Sequence, residues 1–303
     1  MSRKFTFRSI ATSVAMFAFF AFAQAQEGAT FEFAYDAGAE VVSTYLWRGL
    51  YNGGLSFQPD LAVGWDSEKT SFRFGTWWSL GASDWKFRKG CEEVDGYNPN
   101  TYFMPELDIY ANVNLWGATF GFTHYYYFKG SNFFSAGDIQ KVEEAGNTSQ
   151  TEVNFGYDFE TLLGVPLTVT WNTIVSGEDG YVDGYDLDND CELYKRAYST
   201  YIEIAYTHTW EKYGLSLGGA VGFSPWKGLY TDYDKDFAVN NLSIRLEKEW
   251  SLGDDLCTVS VFGVGMLNTC NINKDNVVIT NAAGDDKLYN QKLNGAIGVS
   301  VWF

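Results

Sequence analysis

An all-β fold, a transmembrane antiparallel up-and-down barrel of about twelve strands, is what the sequence predicts. Three observations point there: apolar and polar residues alternate with period two, short and long connections alternate, and the last strand ends on an aromatic. Long loops should lie at the external end of the barrel and short turns at the periplasmic end. In a lipid-facing barrel the apolar face points outward and the polar face lines the lumen.

The chain should begin with an export signal. Arg3, Lys4 and Arg8 precede an apolar stretch from Ile10 to Ala23, and Ala23-Gln24-Ala25 reads as a small-x-small cleavage site. That apolar run is too short to span a bilayer, and no later stretch approaches 18 consecutive apolar residues. Residues 1–25 are therefore expected to be a signal peptide and 26–303 an outer-membrane barrel. Losing three basic residues takes the formal charge from −17 to −20, which argues against nucleic acid as a partner. An apolar content of 46% excludes wholesale disorder.

Twelve strands are predicted at 38–48, 57–65, 70–80, 104–116, 118–128, 151–159, 167–176, 198–210, 215–223, 237–250, 256–268 and 287–303. In the second, Phe57, Pro59, Leu61, Val63 and Trp65 interleave with Gln58, Asp60, Ala62 and Gly64. In the fourth, Leu107, Ile109, Ala111, Val113 and Leu115 interleave with polar partners from Glu106 to Asn114. Gaps after the even strands are short, at Asp66–Lys69, Gly117, Glu160–Pro166, Glu211–Gly214 and Ser251–Asp255. Gaps after the odd strands are mostly long, at 81–103, 129–150, 177–197, 224–236 and 269–286, with a shorter one at 49–56. A sandwich or jelly roll does not usually segregate its connections in this way. In the final strand Leu293, Gly295, Ile297, Val299, Val301 and Phe303 share one face. An alternating last strand ending in Phe303 resembles the signal by which the barrel assembly machinery recognises bacterial outer-membrane proteins.

Aromatics gather near strand ends: Tyr45 and Trp47, Trp77 and Trp78, Tyr125 to Phe128, Trp210, Trp250, and Trp302 with Phe303. These are read as girdles at the two lipid headgroup levels. Parity puts Glu40, Arg48, Asp60, Arg73, Glu106, Asp108, Glu152, Asp158, Glu203, Arg245 and Glu247 on the inner face, eight acids against three arginines. Twelve strands tilted by about 40° give a backbone diameter of roughly 24 Å, narrowed by side chains to about 10 Å. Two readings remain open. The charges either line an aqueous channel for ions or small solutes, favouring cations, or form a paired network that plugs the barrel. Arg48 and Arg73 could set a transverse field against Glu106 or Asp108, or simply pair with acids and stiffen the wall.

Four cysteines fall in the exported region, where disulfides persist. Cys91, Cys191 and Cys270 lie in predicted external loops and Cys257 at the opposite end of strand eleven. A spanning strand holds Cys257 and Cys270 about 40 Å apart, too far to bond. Cys91–Cys191 is the candidate disulfide. The acidic runs at Asp183–Asp190 and Asp232–Asp236 lack EF-hand spacing and read as solvated surface charge. No cofactor or metal is expected. An enzyme is not expected either. Only His124 and His208 are present, and neither is followed two positions on by a serine or preceded two positions back by an aspartate.

Residues 43–49, Ser-Thr-Tyr45-Leu-Trp47-Arg48-Gly49, with Phe57-Gln58-Pro59-Asp60-Leu61 and Phe74-Gly75-Thr-Trp77-Trp78-Ser79, resemble the TorF-like porin family. That family carries a Ser-Asp-Tyr-x-Phe-Arg-Gly run, a Pro-Ala-x-Gln segment and a Gly-x-Trp-x-Ser strand. Here Thr44 replaces Asp, Trp47 replaces Phe, Gln58 precedes Pro59, and Trp78 stands where Gly is usual. The likeness spans about three strands and the terminal Phe303; the remainder looks like the divergent barrels of Bacteroidota. It implies an outer-membrane barrel with a pore role, and brings neither a substrate nor functional residues. The alternative function is a closed structural or surface-recognition barrel binding a partner through its acidic, aromatic loops.

Overall fold

Alternation of apolar and polar side chains needs a sheet with one face in each environment, and closure removes the edges such a sheet would expose. The computed structural model describes residues 31–81, 105–128, 149–177, 179–186, 191–231, 233, 235–253, 256–270, 277–280, 286–289 and 293–303. The expected signal peptide lies outside them, as do Cys91 and most of the acidic positions after Asp186.

The chain runs through β1 (Glu32–Val42), a small hairpin of β2 (Tyr45–Trp47) and β3 (Leu50–Gly53), then β4 (Ser56–Asp66) and β5 (Thr70–Gly81). Next come β6 (Glu106–Leu115), β7 (Ala118–Tyr126), β8 (Ser149–Asp158) and β9 (Leu167–Gly177). A second hairpin, β10 (Gly180–Asp186) and β11 (Cys191–Arg196), precedes β12 (Thr200–Trp210), β13 (Leu215–Ser224), β14 (Ala238–Leu252) and β15 (Cys257–Leu267). A third, β16 (Val277–Thr280) and β17 (Asp286–Tyr289), precedes β18 (Leu293–Trp302). Twelve of these strands form a closed antiparallel barrel in the order β1-β18-β15-β14-β13-β12-β9-β8-β7-β6-β5-β4, with β4 returning to β1. The three hairpins are separate two-stranded sheets at the loop end.

The turns at the other end are short and tied to one another. Trp116 donates its amide to Lys69 at 2.9 Å, and Asp158 to Gly117 at 2.9 Å. Between β8 and β9 the turn contains one helical stretch, α1 (Glu160–Leu163), ended by Gly164 in the left-handed conformation. The outward face is apolar along every wall: Phe33, Leu61, Phe74, Phe155, Ile244, Ile297 and Val299 are all exposed. Such a surface is stable only against lipid. Trp78, Phe128, Trp210 and Trp250 belong to this face near its ends, Trp78 stacking on Phe128 at 6.2 Å between ring centres.

Two boundaries differ from expectation. The first barrel strand is 32–42, not 38–48, because Phe33, Tyr35, Ala37, Ala39 and Val41 continue the outward face and pair in register with Trp65 back to Phe57. The last barrel strand begins at Leu293, and residues 286–289 pair instead with 277–280. The seam closes through Gly38 opposite Trp302, where a Cβ would lie 2.3 Å from the indole. Any larger residue at 38 would push that ring out of the seam.

Cys257 starts β15 and Cys270 lies beyond its far end; both are free thiols. Mass spectrometry of the unreduced protein should therefore find no Cys257–Cys270 peptide pair. Finding one would contradict the spanning assignment of β15. Cys191 opens β11, while its candidate partner Cys91 lies outside the described residues.

Candidate functional site

The lumen holds the chain's chemistry. Barrel register puts Asp60, Arg73, Glu106, Asp108, Glu152, Asp158, Glu203, Arg245 and Glu247, with Glu40, on the inner side. Asp36 and Asp66, which parity reasoning passed over, join them. Trp77, Tyr110, Tyr125, Tyr201 and Phe262 share this face; Trp77 pairs in register with Asp60 and Asp108, Tyr125 with Asp108, and Phe262 with Glu247. Trp77 and Tyr125 are therefore lumen residues and not girdle aromatics.

Arg48 departs from expectation most. It does not sit on the inner face of the first barrel strand. It occupies the tip of the β2–β3 hairpin, with φ of 49° at Arg48 and 87° at Gly49. The left-handed conformation at both positions turns the chain back on itself, which glycine tolerates freely. The hairpin reaches across the barrel, so that Arg48 meets β8, five strands round the wall from β1 in one direction and seven in the other. Tyr45 and Trp47 go with it into the interior rather than to a headgroup girdle.

At the far wall Arg48 makes a two-pronged ion pair with Glu152, at 2.5 and 2.9 Å. It also donates to the Tyr230 hydroxyl at 2.7 Å, and its guanidinium lies 4.7 Å from the Trp47 ring centre. Glu152 is fully buried, and the Tyr125 hydroxyl (3.0 Å) and Asn154 amide (2.5 Å) also donate to it. A buried carboxylate keeps its charge only when its lone pairs are met this completely. Gly49 is held too. Its carbonyl accepts from Asn268 at 2.8 Å, and a Cβ on it would sit 2.6 Å from the Asn240 carbonyl oxygen. The hairpin is thus bolted into place at its tip. Arg48 faces Glu152 and not the expected Glu106 or Asp108.

Loops from two other strand pairs brace the bolt. Tyr230, fully buried, lies in the connection between β13 and β14. Asp179, beyond β9, accepts from the Ser199 amide at 2.9 Å and from its hydroxyl, and Ser199 Oγ in turn accepts from the Leu229 amide at 2.6 Å. Burial pushes the Asp179 carboxyl above its ordinary range, and the Ser199 hydrogen bonds pull it partly back.

Nearer the turns, Arg73 binds Asp66 with both terminal nitrogens, at 2.5 and 2.8 Å, and Asp36 through Nε at 2.6 Å. Arg245 binds Glu247 at 2.9 Å, lies 3.9 Å from Glu40 and packs its guanidinium over Phe262 at 3.7 Å. Between Arg245 and the hairpin is a cavity of about 470 Å³. The hairpin arm Thr44–Trp47 forms one side, and Gln58, Asp60, Trp77, Asp108 and Tyr110 another. No group of three His, Cys, Asp or Glu residues placed to hold a metal occurs among the described residues. His124 is on the outward register, its Nδ1 2.9 Å from Thr151 Oγ1, and His208 packs edge-on against Trp210.

No family model matches the chain, and no curated protein matches it. Among solved structures, the COG4313 outer membrane channel from Pseudomonas putida F1 overlaps with a TM-score of 0.40 at 10% identity, over 91% of this chain and 94% of that one. OmpF of Salmonella typhi, in complex with daunomycin, overlaps with a TM-score of 0.30 at 9% identity, over 91% and 98%. OmpT of Vibrio cholerae gives 0.27 at 10% identity, over 92% and 98%. Overlaps this loose carry no residue or activity across. The barrel assignment rests on the strand pairing itself.

Proposed function

We propose that the protein is an outer-membrane channel for passive diffusion of ions or small solutes, and that it favours cations. The observation that supports this best is the lumen: a closed wall, apolar outside, enclosing a cavity of about 470 Å³ beside carboxylates that outnumber arginines. Arg48, Arg73 and Arg245 are each engaged by acids, whereas Asp60, Glu106, Asp108 and Glu203 have no ion-pair partner within 4.0 Å among the described residues. Fixed negative charge in a narrow, poorly screened lumen raises the local concentration of cations. The β2–β3 hairpin is then the constriction, and the Arg48–Glu152 pair sets its width.

One observation favours a second reading, a closed barrel acting through its loops. A bidentate ion pair across the mouth, with its carboxylate fully buried, is what a seal would use. Liposome swelling separates the two. Vesicles carrying the folded protein should swell in small amines and amino alcohols faster than in neutral sugars of similar size. Swelling no faster than protein-free vesicles, for every solute, would favour the sealed barrel. In this reading the outer membrane supplies the lipid, and Phe303, beside the end of β18, is part of the signal that the barrel assembly machinery engages. Phe303→Ala should lower the amount of folded protein recovered from membranes several-fold, measured by heat-modifiable gel migration.

A further inference from the structure

We propose that the lumen cavity is a binding site for a hydroxylated primary amine, an amino alcohol or amino sugar in its ammonium form. The inference deepens the channel reading and rests on it for the identity of the traffic, but binding itself requires no conduction.

Two buried polar atoms in the cavity wall lack hydrogen-bond partners among the described residues. Asp108 is 8% exposed and its Oδ1 accepts no hydrogen bond; Gln58 is 6% exposed and its Nε2 donates none. Both line the same cavity. Leaving such groups unmet is costly, most of all for a carboxylate, so the site is built to receive a donor at Asp108 and an acceptor at Gln58. Charge narrows the choice. Asp60 also faces the cavity, and the Tyr110 hydroxyl that donates to it at 2.7 Å brings no positive charge. The cavity's own cation, Arg245, is committed to Glu247 and Glu40. Positive charge on the ligand complements Asp108 and Asp60 where no side chain lining the cavity does. Its body would lie against Tyr45 and Trp77, whose rings pack 5.5 Å apart beside the cavity and whose faces attract an ammonium. The absence of a three-ligand metal cluster among the described residues turns the choice to an organic cation. A hydroxyl on that cation meets Gln58. The volume, about 470 Å³, lies in the lower half of the range for small-molecule sites.

Titration calorimetry on the folded protein in detergent tests this with glucosamine, in slightly acid buffer where its amine is charged, against glucose as the neutral analogue. Glucosamine should bind at least tenfold more tightly than glucose. Asp108→Asn should lower its affinity at least tenfold, Asp60→Asn severalfold, and Gln58→Leu should weaken both sugars alike. Heat-modifiable migration of each variant reports whether it has folded, and Asp60→Asn stands in if Asp108→Asn does not fold. Equal binding of the two sugars, no binding of either, or unchanged affinity in the folded aspartate variants would overturn the assignment. Loss of binding with conductance intact overturns this inference alone; binding without conductance overturns the channel reading instead.

Discussion

Arg48→Ala should raise the single-channel conductance at least threefold while the barrel still assembles. The arginine is the only part of the hairpin tip that forms an ion pair with the opposite wall among the described residues, and its removal leaves Glu152 facing an open lumen. The Gly49 carbonyl retains its bond from Asn268, so the hairpin loosens without being cut free. Breaking one side of a buried pair costs about 3–5 kcal/mol when the remaining charge stays dry. Here Tyr125 and Asn154 still donate to Glu152, and water enters as the hairpin lifts, so thermal stability should fall by about 2–3 kcal/mol. Glu152→Gln should widen the channel as well, with weaker cation preference because a carboxylate is lost. Gly49→Val tests the same bolt without altering charge: its Cβ meets the Asn240 carbonyl and its backbone resists a φ of 87°. All three variants raising conductance would assign the constriction to the hairpin. Wild-type conductance in folded Arg48→Ala would remove it.

Val299→Arg should cost about 2–4 kcal/mol of barrel stability, because an exposed outward position in the middle of β18 would have to hold a cation in hydrocarbon. Val299 is flanked in register by Val41 and Val261, both also exposed outward, so no acid is at hand to pair with an arginine there. Asn112→Lys is the counterpart on the inner face. It lines the lumen cavity near Asp60 and Asp108, and a lysine there should cost less than about 1 kcal/mol while shifting selectivity toward anions. Urea unfolding in lipid vesicles measures both. Equal costs at the two positions would mean the faces have been assigned the wrong way round.

Much of the architecture was legible because a membrane barrel is written in local patterns. The turns at Asp66–Lys69, Gly117 and Glu211–Gly214 stand out as polar or glycine interruptions between alternating runs, and the structure places them within a residue or two of expectation. Parity alone put Asp60, Arg73, Glu106 and Glu152 on the inner side. It failed where alternation continues past the barrel. Tyr45 and Trp47 keep the period of β1, so nothing local marks the point near Ser43 where the chain leaves the wall. An alternating Phe31, Phe33, Tyr35 upstream was the available signal that β1 starts earlier. The same parity that placed Arg73 inside also places Trp77 inside, yet its position near a strand end drew it into the girdle reading. The bolt itself could not be read from sequence. Arg48 and Glu152 are 104 positions apart, and their meeting depends on the barrel's circumference and the hairpin's length together. The cavity, where Asp108 Oδ1 and Gln58 Nε2 have no hydrogen-bond partner among the described residues, depends on the same closure.

The most direct test is a planar-bilayer recording of the folded protein under a KCl gradient. Discrete steps with a reversal potential toward the potassium equilibrium value are the result expected of a channel lined by Asp60, Asp108 and their neighbours. Silence from folded protein, persisting in Arg48→Ala, would contradict the channel and move function to the loops.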